Sequence, residues 1–191
     1  MTRRADATDK PVVLDILNQS FATEPSLNWM LSKSRNKRKL ALMLDYIFEE
    51  TLAKGEIYIT NDCMATAMWF SQEREKVTLA YIKRTVSLIL KIGLISTIRS
   101  LRVNAFTFSQ FPKTDFFYLY MLGVKPQAQG KGLASILLNS VLDSKKKEGL
   151  PVYLQTATPT NLDIYKNKGF KIDSEKIFGK GEMTMSFMRF N

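Results

Sequence analysis

The residues best placed to do chemistry lie in one stretch, Leu122 to Ala134, which reads LGVKPQAQGKGLA. An apolar strand feeds a loop with two closely spaced glycines, Gly130 and Gly132, and the loop opens a helix. The first turn of such a helix offers main-chain N–H groups that have no partner within the helix. The helix dipole adds partial positive charge at that end. Glycines let a bulky anion come close to the main chain. The pattern therefore predicts a cradle for phosphate, to which Lys131 adds a cationic side chain.

Three kinds of phosphate loop compete for this stretch. A Walker loop needs Gly at 125 and Ser or Thr after Lys131, where the chain has Lys125 and Gly132. A dinucleotide loop places a third Gly at Ser135 and an acidic ribose partner near Gln155, so it fits poorly. The third pattern fits. Gln129-x-x-Gly132-x-Ala134 resembles the Q/R-x-x-G-x-G/A signature of the GNAT acetyltransferases. The strand ending at Lys125-Pro126, and Asn161 to Phe170 with Tyr165 and Gly169, also resemble that family. The resemblance is clear over Phe116 to Phe170 and looser elsewhere. Pro25 and Trp29, with Met64 to Phe70 around Trp69, resemble bacterial members similar to puromycin acetyltransferases.

The resemblance implies an N-acetyltransferase that moves the acetyl group of acetyl-CoA to a primary amine in a ternary complex. It implies that the main chain at Leu122, Gly123 and Val124 pairs with the pantetheine arm. The groups of Gln129, Gly130, Lys131, Gly132, Leu133 and Ala134 would hold the pyrophosphate. Tyr165 would give a proton to the coenzyme A thiolate, and Asn161 would either bind the cofactor or cap its own helix. The acceptor is a small-molecule or protein amine. A coenzyme A sensor or a nucleic-acid-binding module on the same fold is the alternative from another class.

Composition narrows the acid–base chemistry. The chain has 191 residues, no histidine and one cysteine, Cys63. Ser-His-Asp and Cys-His hydrolases are excluded, as is an intrachain disulfide, and no metal is expected. A base must be a carboxylate, tyrosine, lysine, terminus or water. An amine with a pKa of about 10.4 is only about 0.04% neutral at pH 7, so the reaction needs a base or desolvation. Tyr118 and Tyr120 lie two apart on the central strand and share a face. Either could relay a proton, and Glu24 is a third candidate. Taken alone, each reads first as a core or surface residue.

The elements that must position these residues follow from periodicity. The reading is a mixed α+β fold, a mostly antiparallel twisted sheet flanked by helices, in one domain over 1–191. A strand at Arg3 to Ala5 precedes a helix capped by Thr8, with Val12, Val13, Ile16, Leu17 and Phe21 on its apolar face. A helix from Arg35 to Leu52 ends at Gly55, and Glu56 to Thr60 with Met64 to Phe70 forms a hairpin about Asn61-Asp62. Helical spacing resumes over about 78–100, bent near Gly93, and could roof a site or pack in the core; core packing is expected. The second half reads β-α-β-α-β-β.

The formal charge of +10 comes from 28 basic and 18 acidic residues. Such a balance favours anionic ligands, but the cations are spread out, so nucleic acid is not expected as a partner. The clusters Lys33 to Lys39 and Lys145 to Lys147 read as solvated faces. The most apolar window, Val86 to Ile98, is broken by Lys91 and is too short for a membrane span. No leader is read at Met1 to Lys10, so no membrane contact and a cytoplasmic location are expected.

Overall fold

The computed structural model describes residues 1–31, 37–71 and 78–190. Its frame is a seven-stranded sheet in the order β1-β2-β3-β4-β5-β7-β6. The strands are β1 (Thr2–Arg4), β2 (Gly55–Thr60), β3 (Ala65–Ser71), β4 (Phe117–Val124), β5 (Val152–Thr156), β6 (Lys171–Phe178) and β7 (Met183–Phe190). All neighbours are antiparallel except β4 and β5. The helix between that parallel pair supplies the crossover such a pair requires.

Helices cover both faces. On one lie α1 (Lys10–Ser20), α2 (Pro25–Met30), α3 (Lys37–Lys54) and α5 (Leu94–Gln110), while α4 (Leu79–Ile92) packs on α3 and α5. On the other lie α6 (Leu133–Lys147) and α7 (Pro159–Asn167). The apolar stripe of α1 buries Val13, Ile16 and Leu17 beneath α3, which contributes Leu44, Ile47 and Phe48. Leu137, Leu138, Val141 and Leu142 of α6 bury against Trp69, Phe117 and Leu119. Each such fully buried side chain is worth about 1.5–3 kcal/mol.

Several expectations shift in detail. Asp6, not Thr8, caps the first turn: its carboxylate accepts from the Thr8 amide at 2.8 Å, and Asp9 bonds back to the Asp6 amide at 3.1 Å. That reciprocal pair satisfies two exposed donors at once. Arg35, the expected start of the second long helix, lies outside the described residues, as does Lys33 of the Lys33 to Lys39 cluster; α3 is seen from Lys37.

The larger correction concerns the segment from 78. It runs to Gln110 and is two helices, capped by the Thr78 hydroxyl and broken at Gly93, whose φ of +86° ends α4. Core packing does not hold for most of its apolar residues. Ile92 and Val103 are buried, but Leu79, Leu90, Leu94, Ile95, Leu101 and Phe108 are among those left exposed. Spacing reveals that a helix face is apolar; it does not say what lies against it.

Candidate functional site

The site grows from a fault in the sheet. β4 pairs with β5 only over Phe117 to Leu119, matched to Val152 to Leu154, and then the two strands part. At the same point Trp69 and Met68 of β3 oppose Leu119 and Met121, so Tyr120 is an extra, bulged residue. Bulges bend a strand and re-aim its side chains. Beyond this one, Leu122 and Val124 take the α6 face that Phe117 and Leu119 hold, while Tyr120 and Met121 pack on the α1 side. The β5 side of the main chain from Tyr120 to Val124 is left without a ladder partner from β5.

Below the parting strands the glycine loop is pinned at several points. The Gln129 side-chain Nε2 donates to the Val124 carbonyl at 3.3 Å, and the Lys125 main-chain amide donates to the Met64 carbonyl at 2.9 Å. Lys125 also bridges to Asp15 of α1 at 2.6 Å. Ala128 is buried beneath the loop. Gly132 occupies the left-handed region at φ +76° and caps α6 with no side-chain hydrogen bond to its first amides. A Cβ placed on Gly130 or Gly132 would meet nothing within 4 Å, so the loop faces open space. Free amides, a helix N-terminus and room in front of both fit a phosphate-bearing chain.

Two cavities meet at the parting strands. The first, about 260 Å³, is walled by Met43 and Tyr46 of α3, Tyr81, Thr85 and Leu88 of α4, Thr97 and Ser100 of α5, and Leu119 to Leu122. The second, about 590 Å³, runs along Leu122, Val124, Gln129, Gly130 and Gly132 to Ser135. Phe21, Glu24, Leu122, Asn161 and Tyr165 line both.

The structure therefore brings Glu24, Asn161 and Tyr165 together, with Tyr120 on the first cavity. Glu24 caps α2: its Oε2 accepts from the Leu27 amide at 2.8 Å and from the Ser26 hydroxyl at 2.6 Å. Tyr165 is buried on α7 against Phe170, and burial, followed by the charge of Glu24, raises its pKa above the ordinary 10. Tyr120 is pushed up to about 12, by burial first and then by the charges of Glu50 and Tyr81. Asn161 does not cap α7; Thr158 holds the N-cap position and accepts the Asn161 amide at 3.0 Å.

Three of the expected residues stand apart. Tyr118 does share a face with Tyr120, their ring centroids 5.9 Å apart. It lines neither cavity, however, and is enclosed by Phe111, Tyr153 and Phe187. Its hydroxyl is buried without a partner, and desolvation raises its pKa well above 10. Gly123 also lines neither cavity. A Cβ there would sit 3.0 Å from the Ser20 hydroxyl and 3.3 Å from Leu17, so its smallness lets α1 approach β4. Lys131 is exposed and is not among the lining residues. Sequence reasoning missed Tyr46, Tyr81 and Thr85 on the first cavity and Thr158 and Thr160 on the second. They are single polar or aromatic residues in ordinary helical patterns, with no spacing signal to mark them.

A parted parallel strand pair with a glycine loop and helix N-terminus beneath it defines a class, the acyltransferases that draw on a phosphate-bearing thioester carrier. The sequence model of the acetyltransferase (GNAT) domain matches residues 49–189. An uncharacterized N-acetyltransferase of Schizosaccharomyces pombe is 24% identical over 180 residues, covering 88% of this chain and 73% of that protein. Among solved structures, a histone acetyltransferase HPA2 and related acetyltransferase from Corynebacterium glutamicum superposes with a TM-score of 0.72 at 20% identity, covering 99% of this chain and 94% of that one. Arylalkylamine N-acetyltransferase 2 from Aedes aegypti gives 0.69 at 17% identity, covering 100% and 97%.

The chain belongs to the GNAT acetyltransferase family, and it is an acyl-CoA-dependent N-acetyltransferase. The closer likeness to puromycin acetyltransferases finds no support in these matches.

Proposed function

We propose that the protein transfers the acetyl group of acetyl-CoA directly to a small primary amine with an apolar or aromatic body, both substrates being bound together. The observation that carries this reading is the meeting of the two cavities at Glu24, Asn161 and Tyr165. Acetyl-CoA supplies an activated thioester, with a thiolate as leaving group. The main chain of Leu122 to Val124, the amides from Gly130 to Ala134 and the side chain of Asn161 are the groups that would hold it in the second cavity.

The acceptor belongs in the first cavity. Met43, Tyr46, Tyr81 and Leu88 offer it an apolar and aromatic surround. Glu24 is the carboxylate at the junction. Both of its protein bonds take Oε2, so Oε1 is the oxygen to draw in an ammonium and take its proton. Tyr120 and Tyr118 are poor bases, since burial keeps both as phenols at neutral pH. The same protonated state suits Tyr165 for the opposite task, giving its phenolic proton to the leaving sulfur. The likeness in fold to an arylalkylamine N-acetyltransferase agrees with this acceptor class.

The test is a turnover screen with acetyl-CoA over arylalkylamines, aliphatic polyamines and peptides with free N-termini, read by thiol release. Saturable turnover of arylalkylamines is expected, with kcat/KM falling about 10²-fold or more in Glu24→Gln. Turnover restricted to peptides would overturn the acceptor class. An unchanged Glu24→Gln would remove Glu24 from the reaction.

A further inference from the structure

The helix pair α4–α5 is built the wrong way round for a solvent-facing element. A surface helix normally turns its apolar stripe inward and its polar residues out. On α5 the inward positions include Ser96, Thr97 and Thr107, while Leu94, Ile98 and Phe108 are exposed and line neither cavity, and Leu101 sits at the rim of the first. On α4 Tyr81, Thr85, Leu88 and Ile92 face the protein, and Leu79, Ile82, Val86 and Leu90 form a second apolar stripe that faces away. Leu90 is 79% exposed, Leu94 72% and Phe108 67%. Leu90 and Leu94, one at the end of each stripe, flank the corner at Gly93 where α4 ends and α5 begins. An apolar surface of this extent marks an interaction site.

Charge says what covers it. From Thr78 to Thr114 the sequence holds Lys83, Arg84, Lys91, Arg99, Arg102 and Lys113, and no Asp or Glu. Arg84 and Arg99 are engaged within the protein, with Glu50 and with the carbonyl and ring of Trp29. Lys83, Lys91 and Arg102 are exposed beside the outward stripes. A second copy of this chain meeting the same face would set these cations against their own images, and like charges across a contact are costly. An apolar stripe flanked by Lys and Arg is instead the pattern of helices that lie in the interface of an anionic bilayer. Among the described residues no helix is long and apolar enough to cross a membrane, so the contact is peripheral.

We propose that the outer face of α4 and α5 docks on an anionic phospholipid surface, with Leu90 and Leu94 inserted at the Gly93 corner and Lys83, Lys91 and Arg102 against the headgroups. This departs from the expectation of no membrane contact, which rested on the lack of a leader and of a spanning segment. The same helices wall the first cavity with their inner faces, so docking sets that cavity directly above the membrane interface.

The test is flotation of the purified protein with vesicles of phosphatidylcholine alone and of equal parts phosphatidylcholine and phosphatidylserine. The wild-type chain is expected to float with the mixed vesicles and to be released by salt. The double variant Leu90→Ser, Leu94→Ser should lose about tenfold or more in partitioning, from lost apolar burial. The triple variant Lys83→Gln, Lys91→Gln, Arg102→Gln should lose about fivefold per charge. Neither set lines a cavity, so turnover of a soluble amine should stay at the wild-type level, which also reports that the variants fold. Wild-type protein that fails to float with the mixed vesicles overturns the proposal. So does undiminished flotation of the double variant. A wild-type dimer in light scattering that the double variant converts to monomer would assign the face to a second copy and overturn it as well.

Discussion

The two cavities are assembled in opposite ways. Most of the second one comes from two short stretches, Leu122 to Ser135 and Thr158 to Tyr165, with Ser20 to Pro25 closing it, and its glycine loop offers main-chain amides at the start of α6. The first is walled by side chains gathered from α2, α3, α4, α5, β4, β5, α7 and β7, so its neighbours in space are distant in sequence. A surface made of main-chain amides suits a ligand that is the same for every member of a family. A surface made of scattered side chains can be remade one position at a time. On the proposed reading, the carrier is held by a short stretch of backbone, and the acceptor is chosen by the packing of α3, α4 and α5.

Substitutions can break this contrast, and the largest effect belongs to Tyr165, one of the residues that line both cavities. Tyr165→Phe should lower kcat by about 10²–10⁴-fold, the range for loss of a general acid, with little change in acetyl-CoA affinity. The wild-type pH profile sharpens the point. Burial raises the Tyr165 pKa, so its proton is retained past pH 10, the ordinary tyrosine value. The rate should rise with pH as the amine deprotonates, with no falling limb from this group below that point. A falling limb near pH 8 that disappears in Tyr165→Phe would contradict the burial argument. The next effect belongs to the loop. Gly132→Glu combines a left-handed backbone, costing about 1–2 kcal/mol for a residue with a Cβ, with a negative charge at the helix N-terminus. Acetyl-CoA binding, followed by calorimetry, should weaken by about 10–100-fold. Gly132→Ala carries the strain without the charge and should fall between that and wild type.

The same contrast explains what could be seen in the sequence. The element order over the second half, the loop and the helix that follows it were legible because each signal is local: an apolar run, two glycines, a 3.6-residue stripe. Tyr165 was legible through its distance from Gly169 and Phe170. Tyr118 and Tyr120 were correctly placed on one face, yet alternation could not show that an aromatic cluster encloses one while a bulge turns the other to the cavity. The outward stripe of α4 and α5 was the hardest to read. Leu90 and Leu94 have the spacing of core residues, and only the packing of α5 on α2 and on β5 to β7 decides that small polar residues of α5 face inward instead.

Smaller effects probe where the two halves lean on each other. Gly123→Ala puts a methyl 3.0 Å from the Ser20 hydroxyl and 3.3 Å from Leu17. Overpacking of this kind costs about 1–3 kcal/mol, seen as a lower Tm. Ser20→Ala in the same chain should recover part of the loss, since the nearest atom is then gone. Full activity with no change in Tm would mean that α1 is free to move off β4.

The smallest effect carries the sharpest meaning. Lys131 lies in the middle of the loop and, by charge alone, is the obvious residue to hold a phosphate. It is exposed and lies off both cavity walls. An exposed cation at such a position contributes about 0–1 kcal/mol, because water and salt screen it. Lys131→Ala should therefore change acetyl-CoA affinity by less than about fivefold, while Gly132→Glu, one residue on, changes it far more. If Lys131→Ala instead matched Gly132→Glu, the carrier would be held by side-chain charge. The division between a main-chain cradle and a side-chain pocket would then be lost.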